Sequence, residues 1–338
     1  MTYEEILRYA RECIGDKCHA CPICDGKACG NTIPGPGAKG VGDTAIRNYQ
    51  KWHDVRINMD TLCGNEDVDT SFELFGKTFK YPFFIAPVGA LFLHYSDKYD
   101  DRKYVETIIP AANEAGIAAF TGDGQNPAVM EVATKAIEEN GGMGVPTLKP
   151  WNLEVIKEKL KLIKKGDPFA VAMDVDAAGL PFLKGLTPPA GGKTVEELAD
   201  IIRTVGKPFI AKGIMTVKGA KKAVKAGASA IVVSNHGGRV LDQCPATAEV
   251  LAEIAAEVGD AVRIFVDGGI RSGTDIFKAL AMGADGVLIA RPYVTAVYGA
   301  GKEGVRVLTE KLGEELKDTM AMCGAFRLEN ISRDMVRM

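Results

Sequence analysis

A (β/α)8 TIM barrel carrying an N-terminal cap segment is the fold class this sequence predicts, on three observations. From about residue 80 a short apolar or β-branched run, a turn and an amphipathic helical stretch closed by glycine alternate along the chain. The runs number eight: PFFIAPV (82–88), AAFTGD (118–123), GGMGVPT (141–147), PFAVAMDV (168–175), PFIAKGI (208–214), AIVVSN (230–235), RIFVDGG (263–269) and GVLIAR (286–291). Polar and glycine residues gather at the ends of nearly every run, among them Lys212, Asn235, Asp267 and Arg291, as expected where one face of a closed barrel carries the chemistry. A doubly wound open sheet, the structural alternative, would concentrate them at one crevice.

Residues 1–80 do not share this rhythm. They read as a cysteine-rich cap or flanking segment, with 81–338 as the barrel. Thr2 and Glu5 are spaced as a capping box for a first helix. A cysteine cluster and the glycine-rich NTIPGPGAKGVGD follow, and Asp43 to Trp52 has helical character suited to covering a barrel mouth. Further on, AANEAGIAAF, AVKAGASAIVV and ALAMGADGVLI each repeat the helix-to-strand half of a βα unit. Between the fourth and fifth runs only Ala177 to Lys207 is available, including a helix from Thr194 to Val205, which leaves little chain for a long lid.

With 338 residues, 46% of them apolar, the chain can bury a large core. Its 41 basic and 44 acidic residues give a net charge of −3, which argues against nucleic acid or an anionic membrane as partner and for a small molecule. The N-terminus MTYEEILRYARECIGDKC has no apolar signal core, and no segment reaches the roughly 20 apolar residues of a membrane span, so a cytoplasmic location is expected.

The stretch Ser234-Asn235-His236-Gly237-Gly238-Arg239 follows the sixth run directly. There Arg239 can hold a carboxylate bidentately while His236 exchanges a proton beside it. Lys212 stands among apolar residues on a strand that closure would bury, and a buried ammonium calls for an anionic or electron-rich neighbour. After the seventh and eighth runs, Asp267-Gly268-Gly269-Ile270-Arg271 and Ala290-Arg291 combine glycines that let backbone N–H groups approach a phosphate with arginines that neutralise it.

These segments, with Arg291-Pro292 and Val266 to Asp275 in matching order and spacing, closely resemble the FMN-dependent 2-hydroxy acid oxidase and dehydrogenase family, which includes glycolate and lactate oxidases. The resemblance is strong from about residue 205 onward, looser over 81–176 and nearly absent before 40. It implies FMN as cofactor and oxidation of a small 2-hydroxy acid to the 2-oxo acid, with His236 as acid/base, Arg239 as carboxylate anchor, Asp176 orienting the histidine and Lys212 beside the flavin ring. It also implies that Pro87, Val88, Gly89, Thr121, Ser234 and Ala290 line the flavin, that Asp267, Gly269, Arg271 and Arg291 hold its ribityl chain and phosphate, and that the protein is a homo-oligomer.

Departures from the family pattern are equally specific. Gly144 and Pro146 align with a glutamine and a tyrosine at the end of the third strand. Asp123 stands where an aromatic residue is usual, and Ala177-Ala178-Gly179-Leu180 lacks a second carboxylate-binding arginine. The N-terminal substrate tyrosine has no counterpart near NTIPGPG, and Lys149, Trp151 and His94 are candidates to fill the altered pocket, or else ordinary rim and core residues. A non-redox flavin or phosphate-binding barrel and a flavin electron-transfer protein therefore stay open as alternatives.

Five of the eight cysteines crowd into residues 13–29. Cys18, Cys21, Cys24 and Cys29 could ligate an iron–sulfur cluster or a zinc ion, or remain redox-active thiols. An iron–sulfur cluster would let electrons leave to a protein acceptor instead of oxygen.

Overall fold

The structure, a computed structural model, describes residues 1–180, 183 and 190–338. Eight parallel strands form one sheet: β1 (Phe83–Ile85), β2 (Phe120–Thr121), β3 (Val145–Leu148), β4 (Val171–Asp174), β5 (Phe209–Ile214), β6 (Ala230–Val233), β7 (Arg263–Val266) and β8 (Gly286–Ile289). β8 pairs with β1 in parallel, and a parallel bridge between Ile85 and Ala119 joins β1 to the start of β2, so the sheet closes on itself. Each of the eight predicted runs contains or overlaps one of these strands. Six of them are buried at every position, as a sheet covered on both faces requires.

The third strand corrects one expectation. Gly141 and Gly142 take φ values of 64° and 76° and form a turn, so β3 starts at Val145 and ends at Leu148. The strand end is therefore marked by Thr147 and Lys149, whereas Gly144 precedes the strand and Pro146 lies inside it.

Helices return the chain between strands, and their ends obey local chemistry. Thr194 caps Val195–Val205 in a capping box with Glu197, and Gly206 ends that helix in the left-handed region. Residues 181, 182 and 184–189, within the connection expected to be too short for a long lid, lie outside the described residues. Among the described residues no helix is long and apolar enough to cross a membrane.

The N-terminal segment wraps the barrel. Thr2 and Glu5 form the predicted capping box on the helix Tyr3–Arg11. That helix packs against the C-terminal helical stretch Arg291–Met322, which is kinked at Ala300 and Gly301, and Gly299 is needed there because a Cβ on it would come within 2.2 Å of the Ile6 carbonyl oxygen. The helix Asp43–Asp54 lies across the C-terminal ends of β6 and β7. Asn48 exchanges side-chain hydrogen bonds with Asn235 at 2.8 and 2.9 Å, and the Trp52 indole donates to the Gly268 carbonyl at 2.8 Å. At the opposite end, the hairpin of Phe72–Leu74 and Lys77–Phe79 brings Phe72 and Phe79 against Phe84 and Phe265.

Candidate active site

The C-terminal mouth of the barrel opens into a cavity of about 610 Å³. His236, Arg239 and Lys212 border it, as do all the proposed flavin contacts except Thr121 and Ser234, which are fully buried behind its surface. The loop Ile33-Pro34-Gly35-Pro36 forms part of the wall where the family tyrosine has no counterpart.

His236 has φ 57°, left-handed for a non-glycine residue, and its backbone N–H donates to Ser234 Oγ at 3.1 Å. The turn aims Nδ1 at Asp176 Oδ1, 3.0 Å away, in a pair whose side chains are mostly buried. Asp176 is positioned in turn by Gly213. With φ 104°, Gly213 follows Lys212 where the β5–β6 pairing slips, and a Cβ on it would lie 2.4 Å from the Asp176 carboxyl carbon. Glycine is thus required on grounds of backbone and space together.

Behind the dyad runs a buried chain of alternating charges. Lys149 Nζ donates to Asp174 Oδ2 at 2.6 Å, Lys212 Nζ lies 3.2 Å from Asp174 Oδ1, and Lys212 also lies 3.4 Å from Asp267 Oδ2. Burial alone would depress the Lys212 ammonium, but the carboxylates of Asp174, Asp267 and Asp176 outweigh it and hold its pKa above the ordinary range. Burial acts on Asp174 in the opposite sense to Lys149, Lys212 and His236, and these three prevail, keeping it ionised. Among the described residues, Asp174, Asp176 and His236 are the one set of three potential metal-ligating side chains whose ligand atoms all lie within 4.8 Å of each other.

Arg239 is clamped from the cap. Its Nη1 donates to the carbonyls of Gly35 and Gly37 at 2.7 and 2.8 Å, while Nη2 faces the His94 ring at 3.3 Å from Nε2. Burial and the neighbouring Arg291 push the guanidinium down to about 10, still cationic near neutral pH. His94 Nδ1 accepts from the Gly35 N–H at 3.1 Å; burial, then Arg239, Lys17 and Lys149, lower its pKa to about 4. The imidazole is therefore neutral.

The two other arginines close the corner expected for phosphate. Arg291 Nε donates to Pro36 O at 2.9 Å and Nη2 to Gly237 O at 3.0 Å, and Arg271 Nε donates to Cys24 O at 2.8 Å. These residues fit FMN. Two cationic forks stand beside Gly268 and Gly269, and Asp267 Oδ1, at the cavity wall, has no hydrogen-bond partner within the protein, as a group that serves a bound polar cofactor would.

Asp123 ties the segments after β2 and β3 together. It accepts from the Lys149 N–H, the Trp151 indole and Lys159 Nζ at 2.9, 2.6 and 2.6 Å. Trp151 is thus a core residue that braces the wall, whereas Lys149 and His94 border the cavity. Asp174 and Lys149 had a usable signal in the sequence: opposite charges at the ends of strands that become neighbours. Cys18, Cys21, Cys24 and Cys29 line a second cavity, of about 230 Å³, beside this one.

A closed βα barrel with an arginine-lined phosphate corner and a histidine–aspartate pair at one mouth defines a class of barrel built to bind a phosphorylated ligand beside an acid/base group. This chain belongs to the FMN-dependent dehydrogenase family, whose model matches residues 36–182 and 187–338. It is 46% identical over 130 residues to the peroxisomal (S)-2-hydroxyacid oxidase GLO3 of Arabidopsis thaliana, a match covering 38% of this chain and 36% of the relative. With 4-hydroxymandelate oxidase of Amycolatopsis orientalis it shares 51% identity over 117 residues, 35% of this chain and 33% of that one. With glycolate oxidase 1 of Oryza sativa subsp. indica it shares 34% over 238 residues, 70% and 60% respectively. The matched stretch thus spans about a third to three fifths of these relatives' length. A solved structure of a point variant of mandelate oxidase with 2-hydroxy-phenylacetamide superposes with a TM-score of 0.78 at 27% identity, covering 99% of this chain and 97% of that one. A mandelate oxidase variant with a C4a-OH-FMN adduct superposes with a TM-score of 0.74 at 28% identity, covering 97% of each chain.

Proposed function

We propose that the protein is an FMN-dependent oxidoreductase that converts a small 2-hydroxy acid to its 2-oxo acid. The observation that carries this reading is the His236–Asp176 pair standing at the mouth of a cavity that also holds Arg239. With Nδ1 committed to Asp176, Nε2 is the ring nitrogen left to take the substrate hydroxyl proton, and the Asp176 carboxylate stabilises the imidazolium that results. Arg239, with Nη1 fixed by two carbonyls, offers its Nη2 edge to the substrate carboxylate beside the neutral His94. Bound FMN supplies the acceptor for the two electrons that leave the substrate carbon. Lys212, Thr121 and Ser234 would hold its ring, Asp267 and Gly269 its ribityl chain, and Arg271 and Arg291 its phosphate.

Lys149, which borders the cavity and is paired with the buried Asp174, places a buried ion pair behind the substrate space. Oxygen or a protein as electron acceptor, the latter if the cysteines hold an iron–sulfur cluster, a homo-oligomeric assembly and a cytoplasmic setting belong to the same reading; cysteines outside disulfides suit a reducing compartment. Anaerobic visible absorption of the FMN-loaded chain tests it. Flavin bands that bleach with lactate, glycolate, 2-hydroxyglutarate or mandelate are expected, and FMN that binds but bleaches with no 2-hydroxy acid would favour the non-redox or electron-transfer alternatives.

A further inference from the structure

The cysteine segment lies outside the oxidation chemistry and has its own architecture. Between Arg11 and Asp43 the chain forms turns without helix or strand, with left-handed backbone at Ala20, Gly26 and Gly30 that folds it tightly. Cys18, Cys21, Cys24 and Cys29 all face one cavity of about 230 Å³, each half-buried and none in a disulfide. Cys13 is turned away and is engaged elsewhere, with Sγ 3.2 Å from Tyr298 O and 3.1 Å from Lys98 Nζ. Four cysteines therefore line one space.

The candidate ligands need different sulfur spacings. A single tetrahedral zinc holds its sulfurs about 3.8 Å apart, given Zn–S bonds of about 2.3 Å. No three cysteine sulfurs among the described residues lie within 4.8 Å of one another. A four-iron cubane spaces its sulfurs more widely, because each thiolate binds a different iron, and it needs the room that this cavity offers. A cluster with four thiolate ligands carries net negative charge, and the wall supplies compensation through Arg271, whose Nε also donates to the carbonyl of Cys24, and Arg291.

We propose that Cys18, Cys21, Cys24 and Cys29 ligate a [4Fe–4S] cluster in this cavity. The site is contiguous with the mouth of the barrel: Pro36, Tyr95, Arg271 and Arg291 line both cavities. It does not depend on which substrate the barrel oxidises.

The test uses the full chain purified without oxygen and, in parallel, reconstituted with ferrous iron and sulfide. Analysis is expected to find about four irons and about four acid-labile sulfides per chain, with a low-temperature paramagnetic signal after dithionite reduction. Cys21→Ser and Cys24→Ser should lose that signal, whereas Cys63→Ser, at an exposed position outside the cavity, should keep it. FMN content, read separately after acid release, reports whether each variant has folded. One zinc per chain without sulfide would overturn the proposal, as would a reconstituted wild-type chain holding neither iron nor sulfide.

Discussion

The two ends of the barrel are built from the same eight strands and have opposite chemistry. At the N-terminal end Phe72, Phe79, Phe84 and Phe265 pack edge-to-face or tilted, with ring centroids 4.8–6.3 Å apart and no charge among them. At the C-terminal end Lys149, Asp174, Lys212 and Asp267 form a chain of ion pairs, and Asp176 and His236 form a pair beside it. An aromatic plug gains stability from burial and geometry alone. Buried charges gain little net stability and persist where their mutual placement serves chemistry. A substitution at the plug should therefore cost stability alone, and one at the mouth should cost function with or without stability.

The largest effect is expected at His236. His236→Gln should lower the rate of anaerobic flavin reduction by roughly 10²- to 10⁴-fold, the usual worth of a general base, while FMN content and melting temperature stay near wild type. An equal loss of both would mean that the histidine only supports the fold. Next, Phe265→Ala and Asp174→Asn set the two ends directly against each other. Each should cost about 3–5 kcal/mol in denaturant unfolding, one by leaving a cavity and the other by leaving Lys149 and Lys212 without their shared partner. Only Asp174→Asn should also alter the turnover of the folded fraction; a matching change in Phe265→Ala would break the contrast.

Gly213→Ala sharpens it further. The new methyl must displace the Asp176 carboxyl, and a misplacement of about 1 Å can cost about 10²-fold in rate. Unchanged turnover in a folded variant would show that Asp176 does not position His236. The smallest effect is a pH dependence. His94 is held at about 4 against an ordinary 6.5, so between those values the unfolded chain binds the proton and the folded chain does not. Its contribution is fully present above about 6.5 and is lost as pH falls toward 4. Melting temperature should thus fall less steeply over that window in His94→Gln, and identical slopes would refute the assignment.

Much of the fold is legible in the order of the residues. The eight strands, the cap on Tyr3–Arg11 and the helix over the mouth follow from periodicity and capping residues, because those signals act within one or two turns of chain. The start of the third strand is not legible in the same way: Gly141-Gly142-Met143-Gly144 looks apolar and small, while its left-handed glycines make it a turn. His236, Arg239 and Lys212 stand out because a lone charged or titratable residue at a strand end is costly without a purpose.

The amino-acid order alone dictates the alternation that demands a closed parallel barrel, and the residue types waiting at its strand ends. How those residues meet is settled only by the folded chain. Lys149 finds Asp174 from the neighbouring strand, Arg239 is clamped by carbonyls of Gly35 and Gly37 about two hundred positions earlier, and four cysteines turn toward one cavity. Local patterns report how a segment satisfies its own backbone. Pairings across the barrel exist only once closure has brought distant segments together, and no local signal encodes that distance.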